Sequence, residues 1–143
     1  MSILDAAKYL IYIASEDNFY SISQLKLQKL LYFSQGFSYL WDGKPLFEKN
    51  FEAWQYGPVN RKIYDKYKRY GNSDIPFNGE IDFNLSQENK DTIEAVWRDY
   101  KKYDAFELVE ITHMEEPWKR VYNGQNNVIS NKSIKDYFMI AYC

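Results

Sequence analysis

His113, in Thr112-His113-Met114-Glu115-Glu116, is the only histidine of the chain and the side chain best suited to move a proton near neutral pH. Paired with Glu115 or Glu116 it would serve a small hydrolase or transferase, and this is the enzymatic alternative. Adjacent residues do not face each other on a helix, which makes Glu115-Glu116 a poor acid–base dyad. The plainer reading places His113 at a helix end satisfying carbonyls, and one of the glutamates at the start of the helix that Pro117 begins. HExxH, CxxC and CxxH spacings do not occur, and Cys143 is the only cysteine, so neither a metal site nor an internal disulfide is expected. The six glycines are scattered singly, without a GxSxG, a GxxxxGK[ST] or a GxGxxG, and read as turn or packing glycines. The sequence offers no constellation for catalysis. The expectation is a protein that is not an enzyme and that uses no cofactor and no metal.

Aromatic residues are the unusual feature: 14 Tyr, 9 Phe and 4 Trp among 143 residues. Such rings build a core and its boundary layer, or they anchor a recognition surface, where Tyr and Trp are enriched. The net charge of −2 argues against nucleic acid, whose phosphates call for a basic stripe. The densest basic stretch, Arg61-Lys62, Lys66 and Lys68-Arg69, carries Asp65 as counter-charge and at helical spacing reads as a solvated helix face. A nucleic-acid regulator using that face is a lesser alternative. Asp5 and Lys8 interrupt the first apolar stretch, and no run is long enough to span a bilayer, so the expected compartment is the cytoplasm.

These residues must be positioned by helices. Ser2 caps a first helix with Ile3, Ala6, Ala7, Leu10, Ile11 and Ala14 at helical spacing. A second starts near Ser21 or Ser23 and runs to about Trp41, with Leu27, Leu30, Leu31, Ser34, Phe37, Ser38 and Trp41 inward; Asp42-Gly43 ends it. Gln28, Lys29 and Gln35 fall on its polar side, expected to be solvated. Between Pro45 and Tyr56, Leu46-Phe47 and Phe51-Trp54 predict a short β-ribbon or extended crossing segment. Gly57-Pro58 then places proline at the first position of a helix over 58–70. Residues 72–85 read as a loop, Ser86 caps a helix to about Tyr103, and Asp104 with Glu107 forms a capping-box-like pair for the next. Pro117 starts a short helix through Tyr122, and Ser130 or Ser133 opens the last. The fold class is mainly α: a single compact domain over residues 1–143, of about six or seven short helices with a small extended element near 45–56.

Two segments are more particular than a helical domain requires. One is Leu27-Gln28-Lys29-Leu30-Leu31-Tyr32-Phe33-Ser34-Gln35-Gly36, followed by Pro45-Leu46-Phe47 and Phe51-Glu52-Ala53-Trp54-Gln55-Tyr56-Gly57-Pro58-Val59. The other is Leu108-Val109-Glu110-Ile111-Thr112-His113-Met114-Glu115-Glu116-Pro117-Trp118. Together, in this order, they resemble the Panacea domain, also described as SocA-like or phage-associated, over about residues 3–140. The resemblance implies an antitoxin module that neutralises a cognate toxin by direct contact, with delivery of the bound toxin to a cytoplasmic protease as a further role in the family. Relatives that carry a DNA-binding domain have a part this chain lacks. A phage accessory role acting on a host protein stays open as an alternative, and a homodimer is compatible with the aromatic surplus. Within the motifs, Trp54, Tyr56, Gly57, Pro58, His113, Glu115, Pro117 and Trp118 are the candidate protein-binding residues: Gly57-Pro58 fixes where Trp54 and Tyr56 point, and Pro117 fixes Trp118. Rigid aromatics lose little entropy on binding. Trp54 and Trp118 serve equally well as core pillars.

Overall fold

Helix caps written in the sequence set most of the element boundaries. In the computed structural model, which describes residues 2–143, the Ser2 hydroxyl accepts the Leu4 N–H and opens α1 (Ile3–Ser15). Ser23 likewise opens α2 (Gln24–Asp42), and Gly43, at φ 71°, closes it in the left-handed region that glycine adopts without penalty. The hairpin strands β1 (Phe51–Trp54) and β2 (Gly57–Val59) follow, then α3 (Arg61–Tyr67), extended by a 3-10 turn to Tyr70. Ser86 caps α4 (Gln87–Tyr100), and Asp104 and Glu107 form a complete capping box on α5 (Ala105–His113). The short α6 (Glu116–Lys119), the strand β3 (Asn127–Ile129) and α7 (Asn131–Ala141), capped by Ser130, complete the chain. The molecule is mainly helical, one compact domain with a small three-stranded antiparallel sheet in the order β2-β1-β3.

α2 is the axis of the domain. α1, α4, α5, α7 and β2 all pack against it, so it is buried nearly all round rather than along one stripe. Its interior residues Leu27, Leu30, Leu31, Tyr32 and Phe33 are fully buried. Gly36 lets α7 approach: a side chain there would collide with the Phe138 ring. Trp41, expected inward, is half exposed and stacks on Phe37 at 4.7 Å.

Gln28, Lys29 and Gln35 are all fully buried, contrary to the solvated face expected of them. The reason is that they replace strand partners for the segment that crosses α2. The Gln35 carboxamide accepts the Leu46 and Phe47 N–H groups (2.8 and 3.2 Å) and donates to the Phe47 carbonyl (2.8 Å). Gln28 accepts the Asn60 N–H (2.8 Å) and donates to the Asn60 carbonyl (3.0 Å). An irregular backbone can be buried only when its polar groups find partners, and these side chains supply them. Leu46-Phe47 therefore lies in irregular backbone, bent at Leu46 and held by Gln35 outside the sheet, and the strand is Phe51–Trp54 alone.

Pro58 does not begin a helix. It lies in β2 opposite Ala53, and the helix starts three residues later because the Asn60 side chain accepts the Ile63 N–H. A side-chain cap with its own hydrogen bond outweighs the proline preference. β3, which pairs with β1 through Phe51↔Ile129, was not anticipated from the sequence.

Candidate functional site

The two sequence motifs meet at the tip of the β1–β2 hairpin. Trp54 and Gly57 are paired across a turn made by Gln55 and Tyr56. Gly57, the first residue after the turn, takes φ 100°, a conformation that glycine adopts without penalty. No side chain fits there: a Cβ would meet Lys29 Cε and Thr112 Oγ1 at 2.6 Å. The hairpin tip thus lies directly on α2 and α5.

Three side chains hold the tip from behind. Lys29 Nζ donates to the Pro58 carbonyl at 3.1 Å. Trp118 Nε1 donates to the Trp54 carbonyl at 2.7 Å. His113 Nε2 lies 2.9 Å from the Gln55 carbonyl; a carbonyl only accepts, so Nε2 carries the proton. The His113 ring stacks on Trp118 at 3.9 Å, and Trp118 stacks on Tyr122 at 4.5 Å. Burial holds His113 below its ordinary imidazole value, the nearby Lys29 adds to that, and the bond to Gln55 opposes it. Lys29, with no acid beside it, is pushed by burial down to about 7. The carbonyls of Trp54 and Gln55 are fixed by rings and that of Pro58 by an ammonium, so the backbone is held on both sides of the tip.

Glu115 is occupied elsewhere. It is buried, its Oε1 accepts the Tyr32 hydroxyl at 2.8 Å and its Oε2 accepts the Tyr142 hydroxyl, an arrangement that ties α7 to α2. Burial raises its carboxyl to about 7 against the pull of both hydroxyls. No hydrogen bond joins His113 to Glu115 or Glu116, and Glu116 faces Arg120 on the surface (3.8 Å). The acid–base pairing read from the sequence is not assembled. In the basic stretch over 61–69, Arg61 pairs with Glu52 at 3.1 Å and Lys68 with Asp65 at 3.5 Å.

Of the eight candidate binding residues, the structure buries Gly57, Pro58, Glu115, Pro117 and Trp118. Gly57 and Pro58 belong to the hairpin, Trp118 holds the Trp54 carbonyl, and Glu115 ties α7 to α2. His113 and Trp54 are half-buried, and Tyr56 is 49% exposed. Beside Tyr56 stands Phe106 of α5, 63% exposed, with its ring edge-on to Tyr56 at 6.3 Å. Met114, 71% exposed, lies on the same face of α5 at i+4 intervals through Glu110. Phe106 and Met114 carried no mark in the sequence reading. The signal was there: Phe106 falls off the apolar stripe Leu108-Val109-Thr112 that α5 buries.

The family described as Antitoxin SocA-like, Panacea domain, matches residues 27–119. The chain belongs to this family. Among curated proteins, Antitoxin SocA of Caulobacter vibrioides (strain NA1000 / CB15N) is 32% identical over 136 residues, covering 82% of this chain and 72% of the relative. No solved structure matches the chain. The matched stretch of this Panacea domain opens at Leu27 in α2 and closes at Lys119 in α6, so it contains both the braced hairpin and the three side chains that brace it. Among the described residues of the Panacea domain, no helix is long and apolar enough to cross a membrane.

Proposed function

We propose that the chain is an antitoxin that neutralises a toxin by direct contact, through the hairpin tip and the exposed face of α5. The observation that carries this reading is the Tyr56–Phe106 pair: two large rings held in water, on a turn whose backbone is pinned by Lys29, His113 and Trp118. An aromatic ring presented on a rigid turn gives up little conformational entropy when a partner covers it. Two exposed rings in contact are the kind of anchor on which protein interfaces depend. Membership of a family named for an antitoxin, and a relative that carries that name, support the same reading. Binding of this kind needs no reacting group: the toxin is silenced because its working surface is covered.

The test is a rescue assay in bacteria. Open reading frames flanking the gene are induced one by one, with and without this chain. The expected outcome is a neighbour that arrests growth alone and is tolerated with the wild-type chain. Tyr56→Ala and Phe106→Ala should lose the rescue, each weakening toxin binding by about 2 kcal/mol, while melting within a degree or two of wild type. Full rescue by the double variant would dismiss this surface.

A further inference from the structure

Beside the tip lies a cavity of about 430 Å³ walled by four aromatic rings, those of Trp54, Tyr56, Tyr64 and Tyr122, with the amides of Gln55 and Asn126 at its rim. We propose that it is the seat of an arginine side chain of the partner protein. The inference rests on the reading of the tip as the toxin-binding face and deepens it by naming what the partner inserts.

The lining selects for charge. No lysine, arginine, aspartate or glutamate lines the cavity, and the two cations over its walls, Arg61 and Lys68, are already paired with Glu52 and Asp65, so an anion would find no unpaired cation there. A purely aliphatic side chain would cover the rings but leave the tyrosine hydroxyls and rim amides without partners. A guanidinium satisfies both. Its flat face stacks on aromatic rings, and its five N–H groups reach amide and hydroxyl oxygens. The same ring cluster already receives the chain's own cations: Arg61 sits 5.1 Å from the Trp54 ring centre and Lys68 5.8 Å from that of Tyr64. Trp54 and Tyr64 are themselves in contact, tilted at 4.9 Å, and Tyr122 is the outermost ring of the His113–Trp118–Tyr122 stack. The walls are therefore held in place by the hairpin brace before any ligand arrives.

The test needs no toxin. N-acetyl-arginine amide is titrated into the intact chain and followed by nitrogen-15 NMR, beside its neutral isostere N-acetyl-citrulline amide and the apolar N-acetyl-norleucine amide. The expected result is saturable shifts at the Trp54 indole N–H and the Gln55, Tyr56 and Asn126 amides, with arginine about tenfold tighter than citrulline. Tyr64→Leu should abolish this preference, and Tyr64→Phe should keep it. An equal response to citrulline overturns the proposal. So does a stronger response to norleucine, which would give the cavity to an apolar side chain, and so does the absence of saturable shifts in these residues. Normal rescue by Tyr56→Ala with Phe106→Ala would defeat the interface reading. Loss of the arginine preference defeats the subsite alone.

Discussion

Lys29 and Glu115 are buried groups of opposite charge type that do not pair with each other, and each is held near neutrality by burial. Their effects on stability run in opposite directions with pH. Glu115 stands at about 7 in the fold against an ordinary 4.5, so the fold favours its protonated form. Its contribution is complete below pH 4.5 and is lost as pH rises through about 7. Lys29 stands at about 7 against 10.5, so the fold favours its neutral form. That contribution is complete above pH 10.5 and is lost as pH falls through about 7. Together they predict a stability minimum near pH 7, with limbs of roughly 3 kcal/mol on the acid side and roughly 5 kcal/mol on the basic side. Urea midpoints from about pH 5 to about pH 9 would show the inner part of both limbs. Glu115→Gln should flatten the acid limb and Lys29→Met the basic limb. A wild-type profile that peaks at neutrality would contradict this account of both residues.

Gln35 carries three backbone hydrogen bonds of the crossing segment on one carboxamide. Gln35→Leu keeps the volume and strands all three groups, so unfolding free energy should fall by roughly 3 kcal/mol or more in urea. At Gly57, alanine meets both a left-handed backbone and the close approach of Lys29 and Thr112. Gly57→Ala should lower stability by roughly 1–3 kcal/mol and, by shifting the tip, weaken rescue as well. A variant as stable as wild type would show that the turn relaxes. At this scale the sequence was legible where the signal was local. Ser2, Ser23, Ser86, Asp104 and Ser130 cap helices three or fewer residues away, and each cap formed. Pro58 misled because Asn60, two residues on, offers a competing helix start with a real hydrogen bond. Gln28, Lys29 and Gln35 misled because helical periodicity assigns polar residues to water. Their true partners are backbone groups of residues 46–60, which only the tertiary fold brings to α2. β3 is three residues long and follows Asn126, too short for a period-2 pattern to register.

For the molecule as a whole, the family motifs turn out to be mostly scaffold. The residues that made the chain recognisable, from Gln28 and Lys29 to Thr112, His113 and Trp118, face inward and fix one hairpin. What that hairpin shows to solvent is Tyr56, with Phe106 and Met114 contributed by α5. The sequence motifs mark the residues that meet at the hairpin, but not which of them face outward, because burial depends on the packing of α2 and α5: Tyr56 is exposed, Trp54 walls the cavity beside it, and Trp118 holds the Trp54 carbonyl from within. A fixed scaffold with a few exposed side chains allows the contact surface to vary while the brace stays the same. The measurement that tests this most directly is amide hydrogen exchange on the chain, alone and with the toxic neighbour found in the rescue assay. The account predicts that the amides pairing β1 with β2 already exchange slowly in the free chain, while the exposed turn amides of Gln55 and Tyr56 exchange faster. Binding should add protection there and across 105–114. Protection confined to α4 or to the 72–85 loop, with the hairpin tip unchanged, would contradict it.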